Sequence, residues 1–247
     1  MATKKLWYIT LMLVVGSPLV FAQYKHTEEY VGSQIQDRLY HAKVFEHGKV
    51  NVAFKDGVAT LTGTVDSLGV KMDAEKAARK VDDVEQLVDN LTVHAEDVST
   101  RQILEQARKE IITYYAYGVF DWITLEGEGG KLTINGYVSQ PFKKSDIGNF
   151  LAHVKGVADL QNNLEVLPLS SYDDEIRIAV ARSIFNDPYF LRYANMAYPP
   201  IHIIVKNGNV TLEGWVNTPL EKAKADADAR LATTYFDFTN NLKVEKP

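Results

Sequence analysis

Cysteine is absent from all 247 residues. That excludes disulfides, thiolate metal sites, a cysteine nucleophile and a lipid-modified N-terminal cysteine. Long apolar runs are scarce too. The only one, Leu6 to Val15, is shorter than the roughly 20 residues a helix needs to span a bilayer. Signatures of common chemistries are missing: there is no Gly-x-Ser-x-Gly, no phosphate loop and no His-Glu-x-x-His. The six histidines are His26, His41, His47, His94, His153 and His202. No two have metal-ligand spacing with a carboxylate between them on one helix. His41 and His47 fall in a connection between helix and strand, where an exposed polar loop is the simpler reading. No nucleophile is assembled with a base, so no catalytic residue, metal or cofactor is expected. Basic residues are outnumbered, 27 against 32 acidic, for a net charge of -5. Such a balance argues against nucleic-acid binding.

What the N-terminus does contain is a targeting pattern. Lys4 and Lys5 precede the apolar run, Gly16, Ser17 and Pro18 break it, and Val20-Phe21-Ala22 offers small residues before a cleavage point at Gln23. Residues 1–22 therefore read as a signal peptide. Losing Lys4 and Lys5 with it leaves 25 basic against 32 acidic residues, or -7. The expectation is an exported chain, periplasmic or secreted, with no integral membrane span.

The remainder is dominated by a repeat. Asp56-Gly57 begins a run ending Leu61-Thr62-Gly63-Thr64-Val65. Gly129-Gly130 begins one ending Ile134-Asn135-Gly136-Tyr137-Val138. Asn207-Gly208 begins one ending Leu212-Glu213-Gly214-Trp215-Val216. In each copy the glycines Gly57 and Gly63, Gly130 and Gly136, or Gly208 and Gly214 stand six residues apart. A turn residue tolerating positive φ before an alternating run is a hairpin signal. Copies spaced by 73 and 78 residues imply three modules. Each is small for a self-sufficient core, so packing between modules is expected.

Around each hairpin the same elements recur. Val31, Ile35 and Leu39, then Ile103, Ala107 and Ile111, then Ile176, Ala179, Val180 and Ile184 mark the apolar face of a first helix. Ser67, Gln140-Pro141 and Thr218-Pro219 start a second helix, with Asp173 or Asp174 capping the first helix of module three. Glu126 to Gly130 reads as a long hairpin turn. Each module closes on a strand carrying Asp89-Asn90-Leu91, Asn162-Asn163-Leu164 or Asn240-Asn241-Leu242. Asn90, Asn163 and Asn241 each lie 27 residues after the strand glycine, and these asparagines read as structural. The fold class is α+β: three tandem αββαβ modules, each a three-stranded mixed sheet with two helices on one face. The modules span 27–95, 98–167 and 171–245, with linkers at Glu96 to Ser99 and Leu167 to Ser171.

This pattern resembles the BON (bacterial OsmY and nodulation) domain. Val210, Leu212, Gly214 and Val216 match its Val-x-Leu-x-Gly-x-Val strand; Ala59, Leu61, Gly63 and Val65, and Leu132, Ile134, Gly136 and Val138, match with conservative changes. The Gly-Val pair before the closing strand is present as Gly156-Val157 and replaced by Asp83-Val84 and Thr234-Tyr235 elsewhere. The resemblance implies a periplasmic, non-enzymatic module that associates with phospholipid surfaces and supports the envelope under osmotic or other stress. A scaffold binding other envelope proteins is the alternative.

Variation is concentrated between the first helix and the first strand. From the helix isoleucine to the strand glycine the distance is 28, 33 and 38 residues in modules one to three. The added length is aromatic: Tyr114, Tyr115, Tyr117 and Phe120 in module two; Tyr189, Phe190, Tyr193, Met196 and Tyr198 in module three. Two readings stand. These residues pack module against module, or they form an interfacial patch suited to lipid or partner contact. In the second reading Arg192, with Lys143 and Lys144, would meet anionic head groups. Lys71, Lys76, Arg79 and Lys80 read as a solvated helix face.

Overall fold

A computed structural model describes residues 26–94 and 98–245. The leader at 1–22 and the Glu96-Asp97 part of the first linker lie outside the described residues. The first unit runs α1 (Glu28–His41), β1 (Gly48–Lys55), β2 (Val58–Val65), α2 (Leu68–Ala78), β3 (Gln86–Val93). The second runs α3 (Thr100–Thr113), β4 (Trp122–Glu128), β5 (Lys131–Val138), α4 (Pro141–Ala152), β6 (Asp159–Val166). The third runs α5 (Ser171–Phe185), α6 (Leu191–Ala194), β7 (Ile201–Lys206), β8 (Asn209–Val216), α7 (Pro219–Ala232), β9 (Asp237–Asn240), β10 (Lys243–Val244). In each sheet the hairpin strands are antiparallel and the closing strand runs parallel to the second of them. The expected single closing strand of the third unit is broken. β9 and β10 pair separately with β8, with Asn241 and Leu242 between them.

Each unit has its own core, built from alternate residues of the hairpin and the apolar faces of two helices. In the first, Val31, Ile35 and Leu39 meet Ala59, Leu61, Leu91, Val70, Ala74 and Ala78. The helices start where side chains accept the free amides of the first turn. Thr27, Ser67, Ser99, Ser170 and Thr218 do so, the last two flanking the third unit's helices. Ser170, not Asp173 or Asp174, caps α5. Asp173 is buried and accepts the N–H groups of Asn207 (2.9 Å) and Gly208 (2.8 Å), tying the helix to the hairpin turn.

Three turns carry two successive left-handed residues: Asp56-Gly57, Gly129-Gly130 and Asn207-Gly208. That is the hairpin geometry matching strand twist. The middle turn is only these two residues, since β4 continues through Gly127 and Glu128; alternation persists across the glycine, so no long loop forms. Gly63, Gly136 and Gly214 have φ of 124°, 128° and 105°. A Cβ there would collide with the carbonyl of Lys49 or Trp122 on the facing strand, or of Pro200 just before it. These positions are glycine because backbone approaches backbone.

The closing signature is structural at the residue before each expected asparagine as well. Asp89, Asn162 and Asn240 accept the N–H of the leucine two residues on, at 2.8, 3.1 and 3.1 Å. Asn162 and Asn240 also donate to the carbonyls of Lys144 and Lys222 in the second helix. An aspartate cannot donate, and in the first unit Lys71 bridges instead, to the Leu91 carbonyl (2.7 Å) and Asp89 (3.1 Å). Lys71 is thus a tether, not part of a solvated face. Asn90, Asn163 and Asn241 are exposed, and the last two donate to Asn135 (2.9 Å) and Glu213 (2.7 Å) on the neighbouring strand.

Candidate functional site

The lengthened connections fold inward more than outward. In the second unit, Tyr114 is buried against Phe150, with ring centroids 5.3 Å apart. Its hydroxyl donates to Asp146 at 2.6 Å. Burial, then the Asp146 hydrogen bond, raises its pKa above the ordinary 10.0. Tyr117 lies beside His202 of the third unit, centroids 5.6 Å apart. Phe120 packs against the third unit's core. Between them the Val119 carbonyl accepts the Ile203 N–H at 2.7 Å. That contact falls on β7, whose other side pairs with β8. A sheet edge that would otherwise be free is therefore covered in part by the neighbouring unit. Tyr115 alone of this group is almost wholly exposed, at 87%.

In the third unit Phe190 and Tyr193 are fully buried in the core. The Tyr193 hydroxyl donates to Glu221 (2.9 Å) and accepts from the Asn217 N–H (3.1 Å). Arg192 pairs with Glu221 and lies over the Tyr193 ring. Tyr189, Met196 and Tyr198 remain exposed. Tyr114, Phe190 and Tyr193 are therefore core residues and are removed from the contact candidates: their connections are long enough to fold back over the sheet and bury them. Lys143 is corrected as well. It is buried and pairs with fully buried Asp121 at 2.7 Å. Asp121 also accepts from the Gly118 N–H and from the Ser139 N–H and hydroxyl. Neither Lys143 nor Arg192 is a free cation for a head group.

One position missed by sequence reasoning links these networks. The third residue of the second helix is Val70 in the first unit, Lys143 in the second and Glu221 in the third. All three are buried. The short first connection leaves this site apolar. The longer ones bring a partner of opposite charge, Asp121 to Lys143 and Arg192 to Glu221. The signal was in the register, where a charge takes the place of Val70 seven residues after the strand glycine.

The units meet at two different junctions. Between the first and second, α2 lies by α4. The Leu68 N–H donates to the Val157 carbonyl and the Gly156 N–H to the Asp66 carbonyl, both at 2.8 Å. His153 Nε2 is 3.0 Å from Asp73. A broad groove of about 970 Å³ runs alongside, lined by His47, Asp66, Lys109, Phe150, His153 and Val154 among others. Between the second and third, Tyr117 and Trp122 meet Tyr198, Pro200, His202 and Trp215 around a smaller cleft of about 240 Å³. Lys206 of the third unit also pairs with Glu165 of the second at 2.6 Å. Among the described residues no group of histidine, aspartate and glutamate is placed to hold a metal ion. Nor is any of their helices long and apolar enough to cross a membrane.

Three mixed sheets, each with its own helices and core, define a protein built by repeating one small α+β unit. The BON domain model matches residues 27–95 and 173–246, more than half of the chain. The chain belongs to the BON domain family. No curated protein matches it. Among solved structures, it is similar to the C-terminal domain of CdsD, a structural protein of the type III secretion system of Chlamydia trachomatis. Identity there is 14% and the TM-score 0.26, over 85% of this chain and 96% of that one. It is also similar to the periplasmic domain of the type III secretion inner-membrane protein PrgH from S. typhimurium. There the identity is 12% and the TM-score 0.21, over 83% of this chain and 99% of that one. Likeness at these scores says nothing of function.

Proposed function

We propose that this protein is an exported, non-catalytic adaptor of the cell envelope, made of three BON units at 27–95, 98–167 and 171–245 and acting in the periplasm. Its work is to hold other envelope proteins, through the surface at the junction of the second and third units. The supporting observation is convergence: both lengthened connections, which have no counterpart in the first unit, supply the walls of one aromatic cleft. Counting 98–167 as a third BON unit is supported by its element order, its turn glycines and Gly136, which repeat those of the two matched segments. A phospholipid surface is the less favoured partner, because two of the three cations offered for head groups, Lys143 and Arg192, are engaged by Asp121 and Glu221.

A photo-crosslinker placed at Ile112, an exposed residue of the cleft, in the periplasm, together with vesicle co-sedimentation of the purified chain, tests this reading. Discrete protein adducts that fade on Tyr198→Ala, with no sedimentation on anionic or neutral vesicles, are expected. Sedimentation on anionic vesicles that is lost when Tyr115 and Tyr189 become serine would replace the adaptor by a lipid-binding role.

A further inference from the structure

Every unit packs its helices on one side of its sheet and leaves the other side open. At the second junction two such open sides meet. His202, Ile204 and Lys206 alternate with the core residues Ile201, Ile203 and Val205 of β7, so they stand on the side away from the third unit's helices. Trp122 and Glu165 stand likewise on the second sheet, next to the core-facing Ile123 and Leu164. Across the junction His202 lies against Trp122, with ring centroids 5.1 Å apart, and Lys206 pairs with Glu165 at 2.6 Å. Ile204, turned away from its own core, is only 3% exposed. The chain thus contains one example of an open side docked on another, with a lysine set on an acidic sheet.

The first unit repeats that lysine without its partner. Lys55 is the last residue of β1, as Lys206 is of β7, and each stands just before the turn pair. Lys49 and Lys55 are the only charged residues on the open side of the first sheet, and both are exposed. In the second unit the place of Lys55 is taken by Glu128. The open side of that sheet carries Glu126, Glu128, Asp159 and Glu165 against Lys131. Lys131 and Asp159 face each other at 3.8 Å, and Glu165 is held by Lys206. Among the described residues Glu126 and Glu128 pair with no cation, and Lys49 and Lys55 pair with no carboxylate. Glu126 and Glu128 lie at the end of β4 away from Trp122 and are exposed, clear of the third unit. The first junction sets α2 by α4, on the helix sides, and leaves both open sides free.

We propose that the open side of the first sheet docks on the open side of the second sheet of another copy of this chain, with Lys49 and Lys55 meeting Glu126 and Glu128. Unpaired charges of opposite sign stand on the two sides, and the Lys206–Glu165 contact shows the same kind of pairing within one copy. The contact is heterologous, one patch on a different patch, so copies join head to tail. Neither patch is the cleft at the second junction, and the proposal is separate from the adaptor reading. Three short strands make a small face, at the transient end of protein interfaces. Exposed ion pairs are weakened by salt. The association is therefore reversible and strongest at low ionic strength.

Sedimentation velocity of the whole exported chain at about 10 mM and about 1 M salt, where screening lengths are about 30 and 3 Å, tests this. Concentration-dependent association is expected at the lower salt and its loss at the higher. Lys49→Ala with Lys55→Ala should weaken it about tenfold, the worth of two exposed ion pairs. The reversals Lys49→Glu with Lys55→Glu, and Glu126→Lys with Glu128→Lys, should each leave a monomer that is folded by circular dichroism. Mixed in equal amounts, the two reversed chains should associate again, which misfolded variants would not do. A chain that stays monomeric up to about 1 mM at low salt would overturn the proposal. So would association indifferent to salt or to either reversal, or reversed chains that stay apart when mixed. Adducts from a photo-crosslinker at exposed Asn51 to a different protein, with the chain itself monomeric, would give this face to another partner and overturn it too. Adducts at Ile112 without self-association reject this inference and leave the adaptor standing. Self-association without those adducts does the reverse.

Discussion

The two junctions in this chain are built from opposite materials. The first sets helix against helix and closes on a charged contact, His153 to Asp73. The second sets a loop against a strand edge and closes on rings, with His202 between Tyr117 and Trp122. A histidine stands at each, and the surroundings choose its charge. His153 Nδ1 is 2.7 Å from the Asn149 carbonyl and Nε2 is 3.0 Å from the Asp73 carboxylate. Two acceptors require two N–H groups, and only the imidazolium has both. Burial opposes that charge, but the Asn149 carbonyl and Asp73 outweigh it, and the pKa is raised above 6.5. For His202 burial dominates and the pKa is lowered. A repeat joined to itself twice is thus joined by interactions with opposite responses to protons.

The largest break in this comparison is expected from Lys143→Ala. The lysine neutralises Asp121, which is fully buried and also holds the Gly118 N–H. Stranding that carboxylate costs about 3–5 kcal/mol and frees the 118–121 segment that docks on β7. The same truncation at the matching apolar site, Val70→Ala, should leave the second junction intact. Chemical denaturation with a fluorescence probe at Trp122 and Trp215 measures the difference. If Lys143→Ala left both the midpoint and the environment of Trp215 unchanged, the network would not be what positions the junction.

Next is Phe120→Ala. This ring belongs by sequence to the second unit and by packing to the third. Full burial would make truncation worth about 3–5 kcal/mol; partial burial reduces the expectation to about 2. Hydrogen exchange should show the loss in β7 and the α5 core, with the β4–β6 sheet of its own unit little affected. Protection lost evenly in both units would mean that the two share one cooperative core.

Much of this was legible because it is periodic. The hairpin glycines, the helix faces and the alternation of the strands depend on neighbours a few residues away, and sequence spacing records them. Gly63, Gly136 and Gly214 could be read as close approaches from their place opposite the first strand. The fate of the aromatic connections could not. Tyr114, Tyr117, Phe120, Phe190 and Tyr193 are alike in kind, but one faces Asp146, two reach the next unit and two fill their own core. Those destinations depend on where the units sit, which no local period encodes. The asparagine signature was legible only in part for a related reason: both positions recur with the same spacing, and only the hydrogen bonds show that Asp89, Asn162 and Asn240 hold the leucine amide while Asn163 and Asn241 reach the neighbouring strand. The charged replacements of Val70 were readable from the register alone, but each has charged neighbours that mask it, Lys144 and Asp146 on α4 and Lys222, Lys224, Asp226, Asp228 and Arg230 on α7.

At the first junction a smaller and more selective break is available at Gly69. A Cβ there would run into the His153 ring. Exchanging glycine for alanine inside a helix ordinarily stabilises by about 1 kcal/mol. Gly69→Ala should therefore leave α2 sound while turning His153 away from Asp73. The readout is the pKa of His153, which should fall toward 6.5 as measured by NMR, with the first unit's own midpoint unchanged or slightly raised. A His153 pKa that stays raised would show that the ring accommodates the methyl in place.

The smallest effect sharpens the comparison most, because it separates the junctions by sign. His153 has a raised pKa, so its contribution is fully present below pH 6.5 and is lost as pH rises through the raised value. His202 has a lowered pKa, so its contribution is present above pH 6.5 and is lost as pH falls through the lowered value. Acidification from neutral should thus firm the first junction and loosen the second. Hydrogen exchange at the Leu68 and Gly156 amides should slow, and at the Ile203 amide it should quicken, relative to the intrinsic rates at each pH. Asp73→Asn should abolish the first trend and leave the second. Because His153 and Asp73 are both partly exposed, at 34% and 45%, the stability change should stay within about 1 kcal/mol. Parallel responses at the two junctions, or a first junction indifferent to Asp73→Asn, would show that the histidines do not set the proton response of either.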